Sequence, residues 1–254
     1  MVRLLVVGTA LLAACGRGGF ALPPGAGGGD PQPSAGCGKA ATPGIQTRTL
    51  VVAGQSREYG INIPATYDPG QPAPLMFSFH GSGATGPQAV GTTPSIGGVH
   101  AVAVGPTSGD LAFVDALLEA VSAELCIDRS RVFMVGYSAG GFLASSLGCQ
   151  RHDVVRGIAV LAGGGGGCAH PVPIWFGHNQ DDPTVPISYG IAARDAWLAA
   201  NGCAATTAPM TVASYCVRYT QCQQAPVAWC SPATGGHRPP YEMWSSIAEF
   251  WSSL

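Results

Sequence analysis

Residues 131–146 read RVFMVGYSAGGFLASS, and at their centre Gly136-Tyr137-Ser138-Ala139-Gly140-Gly141 sets one serine among glycines. With 37 glycines in 254 residues, a G-x-S-x-G match arises by accident in about one such chain in three, so the flanks must give it meaning. RVFMVGY is apolar without polar alternation, as in a strand buried on both faces, and AGGFLASSLGC begins a helix. A strand that stops at a serine and turns at once into a helix holds that serine in a strained conformation with its hydroxyl exposed. The helix N-terminus and the Ala139 N–H then face the place where negative charge develops on a substrate oxygen. Gly136 and Gly140 leave room where strand and helix pass close together. Tight packing in an ordinary βα turn produces the same residues, so the discriminating question is whether an acid and a base follow in the right order.

Outward from this stretch, PLMFSFHG, HAVAVGP, RGIAVLAG and VPIWFGH are further short apolar runs bounded by Gly or Pro. They are expected strands of a parallel sheet covered on both sides. Upstream, TRTLVVAG and SREYGINIP are separated by a Gly-containing turn and predict an antiparallel hairpin. Helical spacing puts Phe113, Val114, Leu117, Leu118, Val121 and Leu125 on one stripe of DLAFVDALLEAVSAELC, and Trp244, Ile247, Trp251 and Leu254 on one stripe of YEMWSSIAEFWSSL. Strands alternating with helices define an α/β fold: a mostly parallel sheet with an antiparallel N-terminal hairpin and helices on both faces.

A hydrophobic share of 46% excludes general disorder, and 12 basic against 14 acidic residues leave no electrostatic footprint for nucleic acid. MVRLLVVGTALLAAC, with Arg3 ahead of a short apolar run, reads as a signal peptide over residues 1–14. Its ending Leu12-Ala13-Ala14-Cys15 resembles a bacterial lipobox, which makes Cys15 the expected lipid-attachment residue on a membrane; ordinary secretion with later cleavage is the alternative. Residues 15–36 are rich in Gly and Pro and read as a tether, and residues 37–254 as the catalytic domain. Eight cysteines remain after Cys15, an even number that in an exported, extracytoplasmic chain implies four disulfides; no C-x-x-C spacing suggests a metal site. CVRYTQCQQAPVAWC reads as a hairpin turning near Gln223, which sets Cys216 opposite Cys230 and leaves Cys203 for Cys222. The pairing among Cys37, Cys126, Cys149 and Cys168 stays open.

Hydrolases built on such a serine turn present nucleophile, acid and histidine in that order along the chain. Of His80, His100, His152, His170, His178 and His237, only His237 follows every plausible acid after the last parallel run, in the loop TGGHRPPY. VPIWFGHNQDDPTVPIS supplies Asp181 and Asp182 just past a strand end, and Asp182, held extended by Pro183, is the expected acid, with Asp181 the alternative. Asp153 and Asp195 read as helix-end or surface carboxylates. FSFHGSGATG places the Ser82 N–H as a second oxyanion donor beside that of Ala139. His80 and His178 read as residues that fix loops. This chemistry needs no metal and no organic cofactor.

GYSAGG, DPTVPIS and GGHRPP, in order with SAGCGK, SREY, DLAFVDALL, LCIDRSRVF, NGC, YTQC and WC, resemble the feruloyl esterases of carbohydrate esterase family one. The resemblance extends to their bacterial relatives, grouped with secreted polyhydroxybutyrate depolymerase-like esterases. It implies an α/β-hydrolase fold, Ser138, Asp182 and His237 as the catalytic triad, and hydroxycinnamoyl esters of plant cell-wall polysaccharide as substrate. One segment departs: GATGPQAVGTTPSIGGVHAVAVGPTSGDLAFVD is short beside that of fungal relatives and holds no aromatic residue before Phe113. Acetylxylan, short acyl esters and polyhydroxybutyrate therefore stand as alternative substrates. The expectation is a monomeric, disulfide-stapled serine esterase working through an acyl-enzyme. A non-catalytic carbohydrate-binding lipoprotein on the same fold is the reading from another class.

Overall fold

The computed structural model describes residues 30–238 and 242–254, so the expected signal peptide, Cys15 and most of the expected tether lie outside the described residues. The elements run β1 (Gly44–Val52), β2 (Gln55–Ile63), β3 (Ala73–Phe79), α1 (Gly86–Ala89), β4 (Ser95–Ile96), β5 (Val99–His100), β6 (Val102–Pro106) and α2 (Leu111–Glu124). They continue with β7 (Ile127–Tyr137), α3 (Ala139–Gln150), β8 (Val155–Leu161), β9 (Ile174–Gly177), α4 (Ile187–Ala200), β10 (Thr207–Pro209), β11 (Cys216–Tyr219), β12 (Val227–Cys230) and α5 (Glu242–Ser252). The described residues form a 10-stranded sheet in the order β1-β2-β6-β3-β7-β8-β9-β12-β11-β10. Its centre, from β6 to β12, is parallel, and antiparallel strands extend both edges. The predicted N-terminal hairpin is β1–β2; Ala53 and Gly54 both take positive φ, 50° and 79°, as a two-residue hairpin turn matched to strand twist requires.

The central strands are apolar at most positions because helices cover both faces. Phe77, Met134 and Ile158 pack with Phe113 and Leu117 of α2, Ala144 and Leu147 of α3, and Trp197 of α4. Their neighbours Met76, Phe133, Val135 and Ala159 point to the other face and pack with Met243, Ile247, Phe250 and Trp251 of α5. Each fully buried side chain of this size contributes about 1.5–3 kcal/mol. The buried stripe of α5 differs from the predicted one: Met243 and Phe250 join Ile247 and Trp251, while Trp244 and Leu254 stand half-buried at its margins. Helix α4 escaped the periodicity reading because its buried face is Gly190, Ala193 and Trp197, too small in sum to give an apolar stripe.

The four disulfides are Cys37–Cys126, Cys149–Cys168, Cys203–Cys222 and Cys216–Cys230. The last closes the β11–β12 hairpin at directly opposed positions, as the sequence predicts. Cys37–Cys126 fastens the N-terminal segment to the start of β7. That segment packs before Cys37, ahead of the expected boundary: Gln32 donates its N–H to Asp128 Oδ1, and Ser34 Oγ donates to Leu125 O at 2.6 Å while accepting from Ile127 N at 2.9 Å.

Candidate active site

Strand β7 ends at Tyr137, α3 begins at Ala139, and Ser138 between them sits at φ 55°, ψ −122°. A serine gains nothing locally from a positive φ, so the surrounding packing imposes it. A Cβ on Gly136 would stand 1.9 Å from Gly140 O, and one on Gly140 would stand 2.1 Å from Phe79 O. Strand, turn and helix can approach this closely only without side chains there, which is the local reason for the glycines around the serine.

The three expected residues come together from separate strand ends. Ser138 Oγ lies 2.9 Å from His237 Nε2, and His237 Nδ1 lies 2.7 Å from Asp182 Oδ2. The Asp182 carboxylate is fully buried and the imidazole is 18% exposed, so the serine end of the chain faces solvent and the acid end does not. Asp182 sits just past β9, where Pro183 turns the backbone so that the Thr184 and Val185 N–H groups donate to Oδ1 at 2.8 and 3.0 Å. Burial alone raises the Asp182 pKa, but the His237 hydrogen bond, the two amides and the charge of the ring outweigh it and hold the group below its ordinary value. In this arrangement Asp182 fixes the Nδ1–H tautomer, which leaves Nε2 free to accept the serine proton.

The histidine loop is held by residues whose roles the sequence does not announce. Asp181, read from sequence only as the alternative acid, accepts the N–H groups of Gly235 at 3.2 Å and Gly236 at 2.7 Å. Those two glycines take φ of 143° and 59°, a path open to few other residues. Asn179 Nδ2 donates to Gly236 O at 2.8 Å and to Arg238 O at 3.1 Å. Tyr137, the residue before Ser138, donates its hydroxyl to His237 O, and its ring lies 5.1 Å from the imidazole. An aromatic residue next to the nucleophile was the available signal for this last contact. His178 behaves as expected: its buried Nε2 donates to Val185 O at 2.8 Å and steadies the acid loop.

The amides expected to form an oxyanion site border one cleft. Ser82 and Ala139 line a cavity of about 170 Å³ with Phe79, Pro106, Thr107 and Leu143. Among the described residues neither amide donates to a backbone carbonyl, so both are free to serve a ligand. His80 braces this wall: Gly81 O lies 2.8 Å from Nδ1 and Thr107 O lies 3.1 Å from Nε2, so either tautomer ties the loop in place.

A strained serine at the C-terminal edge of a parallel sheet with helices on both faces places the chain among the α/β-hydrolases, and its relatives narrow this to the carboxylic ester hydrolases. It is 32% identical over 241 residues to feruloyl esterase D of Neurospora crassa, covering 82% of this chain and 83% of that protein. Feruloyl esterase C of Emericella nidulans is 31% identical over 195 residues, covering 68% and 71%. The chain belongs to the feruloyl esterase family. No family model matches it. Among solved structures, an acetyl xylan esterase from Aspergillus awamori superposes with a TM-score of 0.66 at 14% identity, covering 83% of this chain and 99% of that one. A CE1 ferulic acid esterase from Anaeromyces mucronatus in complex with ferulic acid gives 0.59 at 12% identity, covering 84% and 91%. At these identities the likeness concerns the fold.

Proposed function

We propose that this carboxylic ester hydrolase cleaves hydroxycinnamoyl esters of plant cell-wall polysaccharide, with Ser138 as nucleophile, His237 as general base and Asp182 as its orienting acid. The observation that carries the mechanism is the unbroken chain from Ser138 Oγ through His237 to Asp182, at 2.9 and 2.7 Å. Ser138 attacks the ester carbonyl while Nε2 takes its proton, and the Ala139 and Ser82 amides receive the oxyanion. Nε2 then returns the proton to the leaving alcohol, and a water activated by the same ring releases the acid from the acyl-enzyme. Export to an oxidising compartment fits the four disulfides, and lipid attachment at Cys15 belongs to the same reading.

The acyl preference rests on the feruloyl esterases at 31–32% identity. Cleavage of acetyl or other short acyl esters is the second reading, favoured by the small cleft beside Ser82 and Ala139, about 170 Å³, in which Phe79 is the one phenylalanine, tyrosine or tryptophan among the described lining residues. A hydrolysis panel of methyl ferulate, p-nitrophenyl acetate, acetylated xylan and hydroxybutyrate oligomers decides between them. Turnover of acetyl esters with methyl ferulate untouched would refute the hydroxycinnamoyl preference. A fluorophosphonate probe should label the wild-type chain and leave Ser138→Ala unlabelled; equal labelling of both would remove Ser138 from the mechanism.

A further inference from the structure

Phe142 and Tyr189 are large, exposed side chains, 36% and 57% accessible, and they meet each other edge to face with ring centroids 6.3 Å apart. Neither is used by the mechanism above. Phe142 lies one turn past Ser138, and Tyr189 packs against Phe142. Phe142 is one helical turn into α3, its N–H directed at Ser138 O, and Tyr189 is in the first turn of α4, just beyond the acid loop. The segment after β8 joins them to the serine. A Cβ on Gly163 would stand 3.1 Å from Ser138 O, while one on Gly164 would meet the Phe142 ring at 2.8 Å and Tyr189 O at 3.3 Å. Exposing two aromatic rings in contact forgoes the stabilisation of burying them, and such a patch within a helical turn of the nucleophile is a candidate binding surface.

The two flanks of Ser138 differ in a way that assigns the patch. Leu143 points toward the β3 and β6 loops and walls the cleft shared with Ser82, Ala139, Pro106 and Thr107. Phe142, its neighbour in sequence, points the other way, toward the segments that follow β8 and β9. An ester bound at Ser138 has two halves. With its carbonyl oxygen on the Ser82 and Ala139 amides, the acyl half enters the cleft on the β3 and β6 side. The alcohol oxygen must face His237 Nε2 to receive its proton, and His237 enters from the loop after β12, beside β9. An alcohol half that leaves across the β8 and β9 side on the layer of α3 and α4 passes over Phe142 and Tyr189.

We propose that Phe142 and Tyr189 form a subsite for the sugar of the ester's alcohol half, stacking on the apolar face of a pyranose or furanose ring of the polysaccharide. The subsite rests on the serine esterase reading above but not on which acid is cleaved. A sugar suits the patch because its rings carry flat C–H faces for the aromatic surfaces and hydroxyls that stay in water at the open edge, where the Tyr189 hydroxyl can join them.

The test compares esters of one acid that differ only in alcohol: methyl ferulate and a feruloylated arabinoxylan oligosaccharide, or the corresponding acetyl pair. Truncating a well-seated aromatic contact typically costs an order of magnitude, so Phe142→Ala and Tyr189→Ala should each lower the ratio of kcat/KM for the glycosyl ester to that for the methyl ester about tenfold. The fall should come through KM, and Tyr189→Phe should recover most of it. A ratio that stays at the wild-type value in both alanine variants would overturn the subsite, as would a ratio that rises. Calorimetric binding of the unesterified oligosaccharide to the Ser138→Ala chain keeps the test independent of turnover. Weakening by Phe142→Ala supports the subsite, and equal affinity or no binding at all overturns it while leaving the esterase reading in place. Absence of turnover on every small ester would instead strike at the esterase reading.

Discussion

Asp182→Asn is the substitution whose effect the structure specifies most fully. The change removes one charge and almost no volume, so what matters is which way the new amide faces. Oδ1 of Asp182 accepts two backbone N–H groups, from Thr184 at 2.8 Å and Val185 at 3.0 Å, and only an oxygen can take that place. Each such bond is worth about 1 kcal/mol, and reversing the amide would also set its NH₂ against two donors, adding a desolvation penalty of about 1–3 kcal/mol for each group left unpaired. The amide oxygen therefore keeps the Oδ1 position and the NH₂ replaces Oδ2, 2.7 Å from His237 Nδ1.

Facing a donor, Nδ1 must become the acceptor, and the ring proton moves to Nε2, where it blocks uptake of the Ser138 proton. The same change in a Ser-His-Asp site of known behaviour lowers kcat about 10⁴-fold, or about 5.5 kcal/mol in the barrier. A loss of three to four orders of magnitude in kcat on a small ester is expected here, with KM little changed, because Asp182 touches no substrate. Fluorophosphonate labelling should slow in parallel, since it uses the same proton transfer. Asp181→Asn keeps an oxygen for the Gly236 amide but sets its NH₂ against the Gly235 N–H, which the other carboxylate oxygen accepts; it leaves the Asp182–Nδ1 hydrogen bond in place and should cost far less. An Asp182→Asn enzyme retaining a tenth of wild-type kcat, or an Asp181→Asn enzyme losing more than Asp182→Asn, would refute the assignment of the acid.

Three further outcomes follow from the same geometry. Tyr137→Phe removes the hydroxyl that donates to His237 O, a loss of about 1 kcal/mol in positioning, and should lower kcat about fivefold in steady-state assays with the fold unchanged by circular dichroism. Gly140→Ala puts a methyl group 2.1 Å from Phe79 O, an overpacking worth about 1–3 kcal/mol; at about 2–4 °C per kcal/mol for a chain of this size, thermal melts should show a fall of about 5 °C. The third concerns acid. Burial raises the Asp182 pKa, yet its hydrogen bonds prevail and the folded value lies below the ordinary 3.8, so this carboxylate stabilises the fold fully above that pH and its contribution is lost as pH falls through the lower, folded value. Urea midpoints measured from pH 6 downward should thus fall further for the wild type than for Asp182→Asn below about pH 4, and parallel curves would contradict the linkage.

What the sequence made legible is what adjacent residues decide. The serine turn is fixed by contacts between residues a few positions apart: Gly136 clears Gly140 O, and Gly141 N donates to Ser138 O at 2.8 Å. Strand and helix types followed from apolar runs and stripes for the same reason, and the hairpin carrying Cys216 and Cys230 could be paired because its register depends on one short loop. Cys37–Cys126 could not be paired this way, with its partners 89 positions apart on segments that meet only when β7 enters the sheet. Chain order supplied His237 and the two aspartates without any geometry, which is as far as order can reach.

The aspartate pair shows where that reach ends. Read along the chain, Asp181 and Asp182 are two applicants for one task, separated only by the restriction that Pro183 places on its neighbour. In the folded protein they face different partners: Asp182 turns inward to the imidazole, and Asp181 reaches across 54 and 55 positions to the backbone of the glycines that carry it. One carboxylate is bonded to the ring and the other to the backbone of the loop that carries it, and both contacts accompany the 2.9 Å approach of Nε2 to Ser138. The second task has no local pattern, because its acceptor is a side chain and its donors are amides that any residue possesses. A backbone-directed contact of this kind becomes visible only once β9 and β12 lie side by side.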